Sequence, residues 1–151
     1  MPKLIHLVVC RNVVIDMETN NASLQSLVEE IQIPKEAIEK SETETVMAAG
    51  ELTVFAYLSW EWPSKEDPRP IHVELQLKNP KGHSKTAGSS TLSHESGSGI
   101  RAIFKMQAFP IAGAGIYAFD LHIHNELAGT SPSNIDPPYS KTTEMHKQYE
   151  S

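Results

Sequence analysis

Period-two alternation of apolar and polar side chains constrains this chain more than any other feature. In "PIHVELQLKN", Ile71, Val73, Leu75 and Leu77 fall on one side, and His72, Glu74, Gln76 and Lys78 on the other. "GIRAIFKMQAF" places Ile100, Ala102, Phe104, Met106 and Ala108 in one row, against Arg101, Lys105 and Gln107. "GIYAFDLHIHN" sets Tyr117, Phe119, Leu121 and Ile123 against Asp120, His122 and His124. Successive side chains of a strand leave opposite faces, so each segment reads as a half-buried strand. "ELTVFAYLSWEW" is apolar or aromatic on both faces, which predicts a central strand, and "KLIHLVVC" with "NVVID" supplies the first one or two strands. Turn residues such as Asn79-Pro80-Lys81-Gly82 separate them. About seven to eight short strands with no long helical pattern between them predict an all-β fold, an antiparallel two-sheet sandwich.

The stretch "IDMETNNASLQSLVEEIQIP" is open to two readings. Leu24, Leu27, Val28 and Ile31 follow helical spacing behind an Asn21 cap. Against this, "VVID" followed by Glu18-Thr19-Asn20-Asn21 is hairpin grammar, and "IQIP" alternates. The ordering "VVCRNVVID…TNNASLQSLVEEIQIP", then an aromatic strand, "NPKG" and "GIYAFDLHI" resembles a family of small bacterial domains of unknown function. That resemblance, over roughly residues 3 to 125, implies an immunoglobulin-like or C2-like sandwich, strand over 22 to 33 and a turn at the asparagines. It implies no activity.

The chain has 151 residues, a length that buries roughly 68–70% of its unfolded surface in one domain. The sandwich is expected over 1–127, with a short helix within 35–50. Residues 82–99 are Ser/Gly-rich, an edge strand at best, and 128–151 read as a loosely held Pro-containing tail. Nineteen acidic against thirteen basic side chains give a net charge of -6, and no two Lys or Arg are adjacent, which argues against nucleic acid as a partner. The first apolar run is too short to span a membrane, so a cytoplasmic location is the default. The single Cys10 excludes an internal disulfide.

Candidate sites are few. His122 and His124, with Asp120 continuing the row, lie two apart on one strand face, where they could share a metal with His72 or Glu74. Trp60 and Trp62 could form an aromatic platform, although large aromatics more often fill cores. Gly113-Ala114-Gly115-Ile116-Tyr117-Ala118 matches a dinucleotide fingerprint, but a strand follows where a helix is needed. Ser93-His94-Glu95 has triad residue types, yet adjacent residues cannot converge. His6 is roughly 13 Å along the strand from Cys10, too far to activate it. No catalytic residue and no cofactor is assigned. The sequence points to a non-catalytic binding module whose partner is a protein or, through an edge strand, a second copy as a homo-oligomer. The alternatives are a metal-dependent enzyme or sensor and a structural subunit of a bacterial or phage assembly.

Overall fold

A computed structural model describes residues 2–60, 70–92 and 99–136. Nine strands and one helix are found among them: β1 (Pro2–Ile15), β2 (Ala22–Leu27), β3 (Glu30–Gln32), α1 (Lys35–Ser41), β4 (Val46–Trp60), β5 (Ile71–Lys78), β6 (Ser84–Leu92), β7 (Ile100–Ile111), β8 (Gly115–Ile123) and β9 (Glu126–Asp136). They form two sheets, ordered β2-β1-β4-β7 and β3-β9-β8-β5-β6. All strand pairs described are antiparallel except the three-residue β3, which joins β9 in parallel. The chain is therefore an all-β, two-sheet sandwich. No helix among the described residues is long and apolar enough to cross a membrane.

The alternating rows become the core. Leu52, Val54, Ala56 and Leu58 of β4 and Ala102, Phe104 and Met106 of β7 face the other sheet. That sheet answers with Ile71, Val73, Leu75 and Leu77 of β5 and Tyr117, Phe119, Leu121 and Ile123 of β8. The row expected on β7 holds only as far as Met106. A bulge sets Gly50 and Glu51 of β4 against Gln107, so Ala108 turns outward and Phe109 takes the inner position. β4 begins at Val46, inside the segment 35–50 expected to carry a short helix, and α1 fills only the first part of it.

The single strand expected over 22–33 is instead two, Ala22–Leu27 in one sheet and Glu30–Gln32 in the other, and the polar knot is a turn. The Asp16 carboxylate accepts the N–H groups of Glu18 (2.8 Å) and Thr19 (3.1 Å), and Asn20 takes the left-handed conformation (φ 59°). These N–H bonds, that of Thr19 first and then Glu18, hold the Asp16 carboxyl below its ordinary pKa.

The sandwich also extends past residue 127, because β9 pairs with β8 along its length. Its alternation is real but is carried by small residues: Gly129, Ser131, Ser133 and Ile135 occupy the inner row. Leu4 fills the space a side chain at 129 would take, since a Cβ there would lie 2.4 Å from Leu4 Cδ2. Pro132 is tolerated because β3 reaches only as far as Asn134, leaving β9 an edge at that point. Residues 137–151 lie outside the described residues.

One device has no counterpart in the sequence reading. Val9 pairs with Val54 in the core, so Cys10 with Thr53, and Val8 with Phe55, project from the opposite face. Even so, Cys10, Thr53 and Phe55 are 0%, 4% and 5% exposed, and neither Cys10 nor Phe55 belongs to the main core cluster. The cover is the β1–β2 hairpin. Arg101 is level with His6 through Tyr57, and a straight β1 would carry Ile15 roughly 30 Å beyond His6 at the rise of a strand. The Arg101 guanidinium nevertheless bonds Asn20 in the hairpin turn, at both its side-chain and backbone oxygens. The chain must bend after Cys10 and lie back across the outer face. Arg11 pins the bend by donating to the Glu51 carbonyl (3.0 Å), and the Thr53 hydroxyl donates to the Arg11 carbonyl (3.4 Å).

The Arg101–Asn20 clasp makes a local prediction. Charge-assisted hydrogen bonds contribute about 1.5–3 kcal/mol at most, and less at an exposed site. Arg101→Ala should therefore leave the fold intact but raise the rate of Cys10 thiol labelling by roughly 2- to 10-fold. An unchanged labelling rate would show that the hairpin does not gate that face.

Candidate functional site

β6 and β7 are the terminal strands of their sheets and meet along one side of the sandwich. Where they meet, the Phe104 ring sits over Gly88, and a Cβ at 88 would lie 2.9 Å from Phe104 Cδ1. Only glycine admits the ring so closely. Beyond that contact the two strands part. β6 carries Ala87 as an extra residue, because Leu75 pairs with Gly88 and Gln76 with Thr86. β4 carries its own bulge opposite Gln107. Bulges bend the strand that holds them and often stand beside functional sites. Here the pair opens a groove.

Two cavities lie end to end along it. The larger, about 310 Å³, is lined by Thr45, Leu77, Asn79, His83, Lys85 and Ala112 among others. The second, about 160 Å³, is lined by Met47, Lys85, Thr86, Met106, Ala108 and Phe109 among others. Leu77, Lys85 and Pro110 are common to both, so the floor is apolar and the β6 rim is cationic.

One end of the groove is held firmly. In the β5–β6 turn, Asn79 Oδ1 accepts the N–H groups of Lys81 (2.9 Å) and His83 (3.1 Å), and Gly82 takes φ 89°. Across from it, the Tyr117 hydroxyl accepts the Ala112 N–H (2.6 Å) and donates to the Gly113 carbonyl (2.7 Å). Ser41 ties α1 to the same place: its hydroxyl donates to the Ile38 carbonyl (2.6 Å) and accepts the Gly113 N–H (2.8 Å). The Gly113–Gly115 stretch is thus a turn into β8, with φ of 80° and 140° at the two glycines.

The residues singled out from sequence lie elsewhere. Asp120 and His122 are on the outer face of β8, but His124 is not in their row. His124 and Asn125 both have positive φ (50° and 68°) between the paired residues Ile123 and Glu126, a two-residue hairpin turn. Strand alternation therefore does not reach His124, and the premise of a shared face fails. Asp120 instead accepts the Thr130 hydroxyl, Glu74 accepts that of Thr86 (2.7 Å), and His122 Nδ1 is buried without a hydrogen-bond partner. No three His, Cys, Asp or Glu among the described residues stand close enough to hold a metal ion. Trp60 ends β4, and Trp62 lies outside the described residues, as does the Ser93-His94-Glu95 run. Cys10 is buried, and burial pushes its thiol pKa up, keeping it protonated and unreactive.

The groove residues were passed over in sequence because no two of their cations are adjacent. A signal was present all the same: residues 75–92 contain Lys78, Lys81, His83 and Lys85 and no Asp or Glu, within a chain of net charge -6.

No protein-family model matches the sequence, and no curated protein is similar to it. The chain is similar in structure to part of the alkylpurine DNA glycosylase AlkC of Pseudomonas fluorescens, solved bound to DNA containing an abasic-site analogue. The identity is 12% and the TM-score 0.56, over 89% of this chain and 30% of that one. At that identity the likeness speaks to the fold alone, and this chain spans about 30% of the length of that enzyme. An immunoglobulin-like protein from Pseudomonas aeruginosa aligns over 90% of this chain and 97% of its own, at 10% identity and a TM-score of 0.37. That superposition is too loose to bear on the site.

Tyr117 tests how the groove end is built. Tyr117→Phe leaves the ring packed and removes both hydroxyl bonds, so it should lower stability by about 1–3 kcal/mol in thermal or denaturant unfolding. Burial raises the Tyr117 pKa above its ordinary value. With the folded pKa raised, the wild-type contribution is complete below about pH 10 and is lost as pH climbs through the folded pKa. The gap between wild type and Tyr117→Phe should close over that alkaline range.

Proposed function

We propose that this chain is a binding module that receives a partner segment along the open side of its sandwich, in the groove between β6 and β7. One observation carries the reading. The free edges of the two sheets converge at Phe104 and Gly88 and then part around paired bulges, leaving an apolar floor between edge strands. Edge strands and the loops beside them are where sandwiches commonly engage partners, since unpaired backbone groups and side-chain pockets are both available there. The end of the groove at the β5–β6 turn is braced by Asn79, Tyr117 and Ser41, which lowers the ordering cost of binding there.

Self-association would use the same edge. Pro110 counts against two β7 strands pairing across it, because proline has no N–H to contribute.

The reading is tested by panning a displayed random-peptide library against the wild type and against Ala108→Trp. Ala108 is exposed and lines the groove, so an indole there should fill it at a stability cost within about 0.5 kcal/mol. The expected result is peptides that enrich on the wild type and are not retained by the folded variant. Peptides retained equally by both, or no enrichment at all, would remove the groove as the binding site.

A further inference from the structure

We infer that the groove takes an extended acidic peptide segment, laid along the free edge of β6 with carboxylates against Lys85 and His83 and small apolar side chains on the Leu77–Pro110 floor. This inference rests on the binding-module reading and names the class of partner.

Shape is the first argument. The two cavities form a single elongated channel beside a strand, with Leu77, Lys85 and Pro110 at the junction. β6 pairs only with β5, so alternate N–H and C=O groups on its other side are free to pair with an added strand. The opposite wall is a poorer template, because Pro110 interrupts the donors of β7. Backbone pairing therefore belongs on β6, and β7 supplies floor and wall.

Charge is the second argument. Lys78, Lys81, His83 and Lys85 all lie on the β5–β6 hairpin, whose turn closes one end of the channel. None of Lys78, Lys81, His83 and Lys85 takes part in an ion pair among the described residues. A strand added to β6 sends its side chains alternately to two sides. Lys85 is paired directly with Leu77 and stands on the same face, so the row that enters the channel meets Lys85 and His83 at its rim and Leu77, Met47 and Met106 below them. The complementary segment thus carries both carboxylates and small apolar residues in its inward row, at every second position. Such a partner is disfavoured by the chain's net charge of -6 and attracted at this patch, which favours a defined register.

A nucleic acid would meet the same cations less well. Phosphodiester binding draws on a longer basic stripe, and single strands stack their bases on exposed aromatics. The aromatic lining the channel, Phe109, is 2% exposed.

The experiment titrates isotope-labelled full-length protein with three probes. They are a short peptide in which Glu and Val take turns at every second position with Ser between them, its Lys/Val counterpart, and oligothymidylate of matched length. The Glu/Val peptide should shift the amides of Ser84–Ala87 and Ala108–Ala112 and bind more weakly as salt rises. Lys85→Glu should weaken it by about tenfold and Lys85→Gln by less, with unchanged melting curves because Lys85 is exposed. Equal or tighter binding of the Lys/Val peptide or the oligonucleotide would overturn the acidic assignment. So would shifts elsewhere in the molecule, or no effect of Lys85→Glu. If library selection still yields groove-dependent peptides of another composition, only this inference falls. If nothing occupies the groove in either experiment, both readings fall.

Discussion

Phe104 sets its ring where Gly88 has no side chain, and the working side of this molecule is arranged around that contact. It joins the edge of one sheet to the edge of the other and closes the core there. Close packing makes such a join intolerant of added atoms, because a side chain at 88 would have to displace an aromatic ring already fixed by its neighbours. Immediately beyond it each sheet absorbs an extra residue, Ala87 in β6 and the Gly50–Glu51 pair in β4. The strands then bend apart over an apolar floor. The groove is thus a consequence of where the sandwich shuts, and its cationic rim follows from which hairpin lies beside it.

The opposite face of the β4 sheet is managed differently. β4 is apolar on both faces, so a core on one side leaves Phe55 and its neighbours to be covered on the other. The β1–β2 hairpin supplies that cover by bending after Cys10 and folding back, held by Arg11 at the bend and by Arg101 at the tip. The polar knot Asp16–Asn21 serves both tasks at once. Its internal bonds make the turn tight, and its Asn20 oxygens receive the guanidinium.

Much of the fold was legible because strand alternation is local. The rows of β5 and β8, the central position of β4 and the Asn79–Gly82 turn all follow from residues close in sequence, whereas the local pattern over residues 16–33 fitted helix and strand alike. Three misreadings share one cause, which is that a neighbour altered what a side chain meant. β9 looked like a tail because its inner row is Gly129, Ser131 and Ser133, and Leu4 of β1 supplies the missing bulk. Ala108 was placed inward because a bulge opposite Gln107 is invisible without its partner strand. His124 continues the alternating pattern of β8 in sequence, but positive φ values at His124 and Asn125 put a hairpin turn there instead.

What the sequence determined alone is the class of fold: period-two rows punctuated by turn residues can bury their apolar sides only by stacking sheets. It also held the charge contrast between residues 75–92 and the rest of the chain, though not its use. Tertiary structure decided the groove and the folded-back hairpin. Both are made where elements distant in sequence meet, at Gly88 with Phe104 and at Asn20 with Arg101. Local pattern records which face of a strand is apolar, and it carries no term for which edge is left unpaired or what lies across it.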